Sequence, residues 1–274
     1  MPHNLPSRPT DFRYPDDFDP VWVRRLPELA CVANAVSLLM PYAEPYVARS
    51  VTRVRDDLPP SLAETARDYV RQETAHHREH QRFNAIVTDQ VRGLRRVTAA
   101  AAWVYRWLDQ RDSSFNVAFA AGFETVAFAA ARWVDKRAND LFIGADEVPA
   151  ALFLWHLAEE AEHRSAAFDV MKALGIGRYR YGFAMAVSAL VLALFVVPLT
   201  IVLLFDARRL FHPVAHLRLA WWTLTFLCDL IPDMLFSLRA SHHPSNLAPP
   251  EYLLAWLAHY DAATYEPATY EPAT

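Results

Sequence analysis

One predicted helix, apolar along most of its surface, has polar side chains on a face that should be buried. The stretch from Trp155 to Val170, WHLAEEAEHRSAAFDV, contains His156, Glu160 and His163 at spacings of four and three residues. On a helix these spacings place the three side chains on one face. Because the flanking residues are apolar, this face is predicted to point into a core, where an unpaired carboxylate is very unfavourable. Other segments of the chain must therefore supply partners for it.

Length and composition favour one sizeable helical domain with a hydrophobic addition. The chain has 274 residues, of which 53% are hydrophobic and only 6 are glycine, and helix-period patterns run along most of it. The net charge of −4 is small and negative, whereas a domain that binds nucleic acid is usually basic. The two cysteines, Cys31 and Cys228, match no zinc-site spacing. The polar, proline-rich start has no signal-peptide pattern, so a reducing cytoplasmic setting is expected.

Composition divides the chain into four segments. Residues 1–26 are expected to form an extended arm and residues 27–177 a helical bundle. Residues 178–262 are expected to form hydrophobic helices that associate with a membrane, and residues 263–274 a disordered tail that ends in the repeat YEPATYEPAT. Within the bundle, the periodicity predicts helices over residues 28–40, 41–58, 61–92, 94–110, 113–142 and 147–174.

Three further predicted helices contain glutamate or histidine on faces that should be buried. One has Glu73, His76 and His80 at spacings of three and four residues, and therefore on one face. Glu124 is a lone acid in a long apolar helix, and Glu44 lies near the start of an earlier helix. The candidate metal ligands on these four helices are Glu44, Glu73, His76, Glu124, His156, Glu160 and His163.

Charge balance gives a reason for four carboxylates to share a core. Without cations they would repel one another and take up protons, whereas two divalent ions neutralise four glutamates and neutral histidines complete the shells. Mixed carboxylate and imidazole ligands suit iron or manganese, and the lack of thiolate ligands argues against structural zinc. We therefore expect two iron ions, with manganese or a mixed pair as alternatives. A core of mutually satisfied polar groups is the other interpretation.

The ligand order also predicts the fold class. Single glutamates on two helices, combined with Glu-x-x-His on two others, are the pattern of ferritin-like bundles that bind two metal ions. We therefore expect an all-α protein, with a ferritin-like four-helix bundle around a di-metal site and a C-terminal hydrophobic helical region.

The segments PYAE, QETAHHREHQRFN, FETVAFAAARW and WHLAEEAEHRSAAFDV resemble the ferritin-like family of predicted metal-dependent hydrolases over residues 30–175. The corresponding motif of that family is usually Pro-x-Gly-Glu. In this chain Ala43 takes the place of the glycine, directly before Glu44. The ligand order also resembles the di-iron p-aminobenzoate N-oxygenase family, which implies His156 as a third imidazole on one iron. His80 is expected to hold a ligand in place, with a role as an eighth ligand as the alternative. Asp169 has either such a supporting role or a capping or surface role.

Two kinds of chemistry fit such a site. With iron, it would activate O₂ as an oxygenase or oxidase acting on a hydrophobic or membrane-borne small molecule, and an external donor would supply electrons. Alternatively, a metal-bound hydroxide would hydrolyse an ester or phosphoester. The helical scaffold and the histidine-rich ligand set favour the first function. A non-catalytic metal-binding membrane protein is the third interpretation.

Two long apolar stretches dominate the C-terminal part. Phe183–Phe205 has 23 residues without a charge, long enough to cross about 30 Å of hydrocarbon. Leu219–Leu238 contains Asp229 and Asp233, and therefore suits an interfacial helix or the protein-facing arm of a hairpin. We expect integral or monotopic attachment on the cytoplasmic side of a membrane, or failing that a homo-oligomer that buries this surface. A buried core helix is the alternative.

Overall fold

The structure, a computed structural model, describes residues 5, 8, 10–15 and 18–260, and this part of the chain is all-helical as expected. An isolated bridge between Val23 and Ala145 is the extended pairing found there. The predicted tail, residues 263–274, lies outside the described residues. The α-helices are α1 (Pro27–Ser37), α2 (Met40–Thr52), α3 (Pro60–Gln90), α4 (Leu94–Asp109), α5 (Ser113–Asp135), α6 (Ala138–Phe142), α7 (Glu147–His163), α8 (Ala166–Ala173), α9 (Arg178–Asp206), α10 (Pro213–Ser237) and α11 (Glu251–His259). Short 3₁₀ helices occupy Arg55–Asp57 and Pro244–Asn246.

Helix α5 is the central helix of the bundle. It packs against α2, α7, α8, α9 and α10, while α2 packs closely against α3. Small and aromatic side chains make α5 apolar nearly all round, so it can be covered on several sides. The absence of a side chain at Gly122 permits its closest packing, because a Cβ there would lie 2.5 Å from the Cα of Met185 in α9. Two of the other helices that carry candidate ligands, α2 and α7, therefore pack directly on α5, which carries Glu124.

Several helix boundaries differ from the sequence predictions. The helix predicted over residues 61–92 begins one residue earlier than expected, since α3 starts at Pro60, behind Pro59, without a side-chain cap. The predicted helix over 147–174 divides into α7 and α8 after His163. Asp112 does cap α5, since its side chain accepts a hydrogen bond from the Phe115 amide at 3.0 Å. The sequence periodicity therefore located the helices, but it did not give all of their boundaries.

The N-terminal arm packs over α3 and α7 beside the candidate site. The Phe12 ring lies 5.7 Å from the Trp155 ring, and the Tyr14 ring lies 5.5 Å from the Phe83 ring. Phe12 and Trp155 are fully buried. The described parts of the arm therefore contribute to the core, although they are not helical.

Three described helices, α5, α9 and α10, are long and apolar enough to span a membrane. Most of α5 is buried by the bundle, whereas few residues in the apolar stretch of α10 are fully buried. Helix α9 packs on α5, α1 and α4 along one side and exposes the other. The division of the chain at residue 178 stays a prediction.

Candidate metal centre

The seven predicted ligands lie together in the core of the bundle. Glu44 is on α2, Glu73 and His76 are on α3, Glu124 is on α5, and the other three are on α7. Within the described residues, two groups of donor atoms could each hold a metal ion, with all donors of a group within 4.8 Å of one another. The first group is Glu73, His76, Glu160 and His163, and the second is Glu44, His80 and His156. Their role as metal ligands stays a prediction.

The first group contains both Glu-x-x-His pairs. His76 Nδ1 lies 3.7 Å from Glu160 Oε1 and 4.0 Å from Glu73 Oε1. His163 Nε2 lies 3.3 Å from Glu73 Oε1. His76 Nδ1, His163 Nε2 and both Glu73 carboxylate oxygens are buried, and within the described residues they make no hydrogen bond. Donor atoms left without partners in this way fit a bound cation.

The second group adjoins the first through Glu160. His156 Nε2 lies 2.9 Å from Glu160 Oε1 and 3.5 Å from Glu44 Oε1. His80 Nε2 lies 2.6 Å from His156 Nδ1, and His80 Nδ1 is 2.8 Å from the hydroxyl of Ser37. Both Glu44 carboxylate oxygens are buried without a hydrogen bond inside the described part of the chain. The geometry thus allows both roles considered for His80, as a ligand or as a support for His156.

Glu124 and Asp169 lie outside both groups. Glu124 Oε2 is 3.0 Å from His163 Nδ1, and Glu124 Oε1 accepts a hydrogen bond of 2.7 Å from the Tyr69 hydroxyl. Glu124 is therefore a close neighbour of the first group. The carboxylate of Asp169 is instead 31% exposed and pairs with His243 at 2.7 Å. This contact agrees with the surface role considered for Asp169.

A family model described as "Predicted metal-dependent hydrolase" matches residues 6–248. The chain belongs to this family. The match continues beyond the bundle through α9 and α10, so the hydrophobic helices are part of what the family shares. No curated protein matches the chain, and no solved structure matches it. The resemblance to the N-oxygenases stays a prediction.

Sequence reasoning missed the partners that hold these side chains in this member of the metal-dependent hydrolase family. His76 Nε2 lies 3.1 Å from Glu159 Oε2. Arg8, from the N-terminal arm, donates to Glu159 at 3.1 Å and to both oxygens of Glu162 at 2.7 and 2.8 Å. The run of acids after Trp155 was the available signal, but it does not show which acid faces α3. A histidine whose second nitrogen bonds a carboxylate is common at metal sites, because that bond fixes the ring orientation.

Burial and mutual repulsion shift the pKa values of these groups strongly. Burial raises the pKa of Glu44 and Glu73 well above the usual carboxyl range, and Glu160 and Glu124 raise both further. Burial lowers the pKa of His76, as do the neighbouring histidines. Burial alone would lower the pKa of His163, but Glu160 and Glu124 outweigh it and raise the value to about 9. Without metal, the cluster therefore retains protons that divalent cations would displace.

Proposed function

We propose that this protein is a hydrolase that uses two divalent metal ions to cleave an ester or phosphoester bond in a hydrophobic small molecule. The observation that carries the proposal is the pair of adjoining buried groups. Both carboxylate oxygens of Glu44 and of Glu73, together with His76 Nδ1 and His163 Nε2, are buried there without a hydrogen bond among the described residues. Membership of the metal-dependent hydrolase family supports the reaction class. The fold alone would not, because ferritin-like bundles serve many reactions.

Glu73, His76, Glu160 and His163 would hold one ion, and Glu44, His80 and His156 the other. Two such ions would supply Lewis acidity to a carbonyl or phosphoryl oxygen and an activated water as the nucleophile. Glu160 contacts both groups, because its Oε1 lies 2.9 Å from His156 Nε2 and 3.9 Å from His163 Nε2. It is therefore the side chain best placed to couple the two sites.

The surrounding residues hold the ligands in place by hydrogen bonds. The Tyr69 hydroxyl donates to Glu124, which in turn contacts His163, so the orientation of that imidazole is fixed from outside the group. Ser37 does the same for His80. Among the seven predicted ligands, His156 has the largest exposure, at 8%. A substrate would therefore approach from the side of His156.

Oxygen chemistry is the second candidate function, and the donor set is the observation that favours it. Four buried carboxylates together with four imidazoles suit iron, and ferritin-like carboxylate bundles are typical hosts of two iron or manganese ions. In this version the protein would oxidise a hydrophobic small molecule with O₂, and electrons would come from an external donor.

We also propose that the protein works at the cytoplasmic side of a membrane. The exposed apolar surfaces of α9 and α10 support membrane attachment. The free cysteines Cys31 and Cys228 fit a reducing compartment. A substrate dissolved in lipid would then be delivered to the surface on which the enzyme lies. A homo-oligomer that buries α9 and α10 is the competing arrangement.

Reconstitution with single metals tests the reaction. Metal-free protein is loaded with Mn²⁺, Zn²⁺ or Fe²⁺ and assayed on p-nitrophenyl esters of different chain lengths and on bis-p-nitrophenyl phosphate. O₂ uptake by the Fe²⁺ form is measured in parallel with a chemical reductant. Hydrolysis that requires metal and is lost in Glu160→Ala, but not in the exposed control Glu64→Ala, supports the hydrolase. Catalytic O₂ uptake without hydrolysis would replace it by the second candidate.

A further inference from the structure

Helices α9 and α10 present adjoining apolar faces to the outside of the bundle. On α9, Leu190 and Leu194 are 65% and 57% exposed. On α10, Leu217 and Leu235 are 71% and 63% exposed. Leu230 of α10 shares a buried cluster with Val126 and Ala129 of α5, and Ala189 and Leu192 of α9 pack against the same cluster, so the two helices lie side by side on α5. A patch of this extent is unusual for a soluble monomer and indicates an interaction surface.

The acidic side chains of α10 all point away from this face. Asp233 pairs with Arg132 at 2.8 Å. Asp229 contacts Lys136 at 3.3 Å and Arg137 at 3.2 Å, and all three basic residues lie at or just beyond the C-terminal end of α5. The two acids that made this stretch a poor membrane span in the sequence are therefore used to fasten α10 to the bundle. Its outer face is left without acidic groups.

Packing on its inner side prevents α9 from being surrounded by lipid. Near its start, Met185 lies against Gly122 of α5. Near its end, Val202 comes within 3.6 Å of the position that a Cβ on Gly93 would occupy, just before α4. Helix α9 is thus attached to the bundle along most of its length. The same bundle contains the highly charged α3, which could not enter hydrocarbon together with α9. Lipid can contact only the outer side of α9.

Arginines lie at the α9–α10 turn, beside exposed aromatic side chains. Arg218 of α10 donates to the backbone oxygen of Arg25 at 3.3 Å and lies 3.7 Å from Glu28. Phe205 and Phe211 are 66% and 87% exposed at this turn. The arginines at this end are Arg24, Arg25, Arg208, Arg209 and Arg218. The nearby acids are Asp206 and the buried Glu28, so the net charge is positive.

The opposite end of α9 is also basic. Arg178 donates to the backbone oxygen of Leu238, and Arg180 pairs with Asp112 at 2.8 Å. If two copies paired face to face, basic ends would meet basic ends in either two-fold orientation. An anionic lipid surface complements both ends, while its hydrocarbon accepts the apolar side chains between them.

From these observations we propose that the protein is monotopic and lies on anionic bilayers, with α9 and α10 parallel to the membrane plane. The side chains between the two basic ends enter the hydrocarbon boundary, and the arginines contact lipid phosphate groups. The inference deepens the proposed membrane attachment and does not depend on the hydrolytic reaction. Vesicle binding therefore tests it separately from the assays above.

Cys228 provides a native probe of this surface. It is exposed on α10, whereas Cys31 is buried. Full-length protein is mixed with phosphatidylcholine vesicles with or without phosphatidylglycerol, and the rate of maleimide labelling of Cys228 is measured. Anionic vesicles should slow labelling at least tenfold and should sediment the protein, whereas neutral vesicles should do so weakly. Unchanged labelling in the presence of anionic vesicles would overturn the proposal.

Charge variants test the role of the basic end. The triple variant Arg24→Gln/Arg25→Gln/Arg208→Gln should weaken binding to anionic vesicles roughly 100-fold, since each of the three basic residues near such a surface contributes about 1 kcal/mol. The matched control, Arg55→Gln/Arg67→Gln/Arg71→Gln, removes the same charge from α3 and the 3₁₀ helix before it. If both variants lost the same vesicle affinity, the total charge of the protein alone would account for the attraction to anionic lipid. That result would contradict the assigned membrane surface.

Topology separates a monotopic helix from a spanning one. In a Cys228→Ser background, Tyr179→Cys and His212→Cys place thiols beyond the two ends of the apolar part of α9. An impermeant thiol reagent added outside sealed vesicles should label both. Labelling of only one would show that α9 crosses the bilayer. A dimer that protects Cys228 without any vesicles, detected by light scattering, would show that a second copy covers the face instead, and either result overturns the proposal.

Discussion

The imidazole of His76 lies 3.1 Å from the carboxylate of Glu159, on the side opposite the nitrogen that faces the first donor group. This contact fixes which nitrogen of His76 is available to a metal, because Nε2 is occupied by Glu159 while Nδ1 is left without a hydrogen-bond partner within the described residues. Arg8 holds Glu159 in turn, so the N-terminal arm takes part in positioning the site.

Glu159→Ala should weaken metal binding about 10- to 100-fold, because the orienting partner of His76 is lost. The measurement is competition titration of metal-free protein against a chelator of known affinity. Glu162→Ala is the matched control, since Glu162 shares Arg8 but has no contact with His76 among the hydrogen bonds of the described residues. A larger loss in the control than in Glu159→Ala would contradict the orienting role.

The two donor groups predict two separable metal equivalents. His163→Ala removes a donor from the first group only, and His80→Ala removes one from the second only. Each variant should therefore keep about one of the two ions, whereas Glu160→Ala, which affects both groups, should keep less than either. Elemental analysis of folded protein gives the stoichiometry. If His80→Ala retains two equivalents with wild-type affinity, His80 neither binds metal nor supports a ligand.

Metal affinity should rise with pH. Burial and neighbouring carboxylates raise the pKa of Glu44 and Glu73 well above the usual carboxyl range, and the pKa of His163 is raised to about 9, so the metal-free site binds protons more strongly than free side chains do. A metal must displace those protons, and a higher pH makes the displacement easier until each pKa is passed. Titration calorimetry at pH 6.5, 7.5 and 8.5, repeated in buffers with different ionisation enthalpies, would count the protons. Affinity that does not rise with pH, with no proton released on binding, would show that the donor groups are already deprotonated and would contradict this prediction.

The contact between α5 and α9 should be intolerant of added volume. In Gly122→Ala the new Cβ would meet the Met185 backbone at 2.5 Å, and the helices would have to separate. Such overpacking typically lowers the free energy of unfolding by about 1–3 kcal/mol. The control is Gly177→Ala, because a Cβ there has no neighbour within 4 Å. The denaturation midpoints of the two variants are compared with that of the wild type. Equal shifts would show that the close contact at Gly122 does not limit the stability of the protein.

Much of the site could be predicted from the sequence because helix periodicity is local. Four helices with polar residues on otherwise apolar faces have few ways to bury them, and bringing those faces together was the expected solution. The structure gathers the seven predicted residues and His80 into one region, as the spacing suggested. The two apolar C-terminal stretches were also visible as long uncharged runs, and both form helices.

Other features depend on distant contacts that no local pattern encodes. Glu79 is fully buried, with Arg78 and Arg82 bonded to its carboxylate, although it stands in a polar stretch of the sequence. The pairing of Arg8 with Glu159 joins residues 151 positions apart. Whether an acid becomes a partner or a solvated group is decided by which side chain packs opposite it.

The sequence by itself determined the helical class, the core faces with their glutamates and histidines, and the apolar length of α9, because each follows from the order of residues along one helix. Only the tertiary structure decided that Glu159 orients His76, that Tyr69 holds Glu124, and that Asp229 and Asp233 face α5. These contacts depend on the rotation and separation of packed helices, which side-chain volumes across the whole core set together.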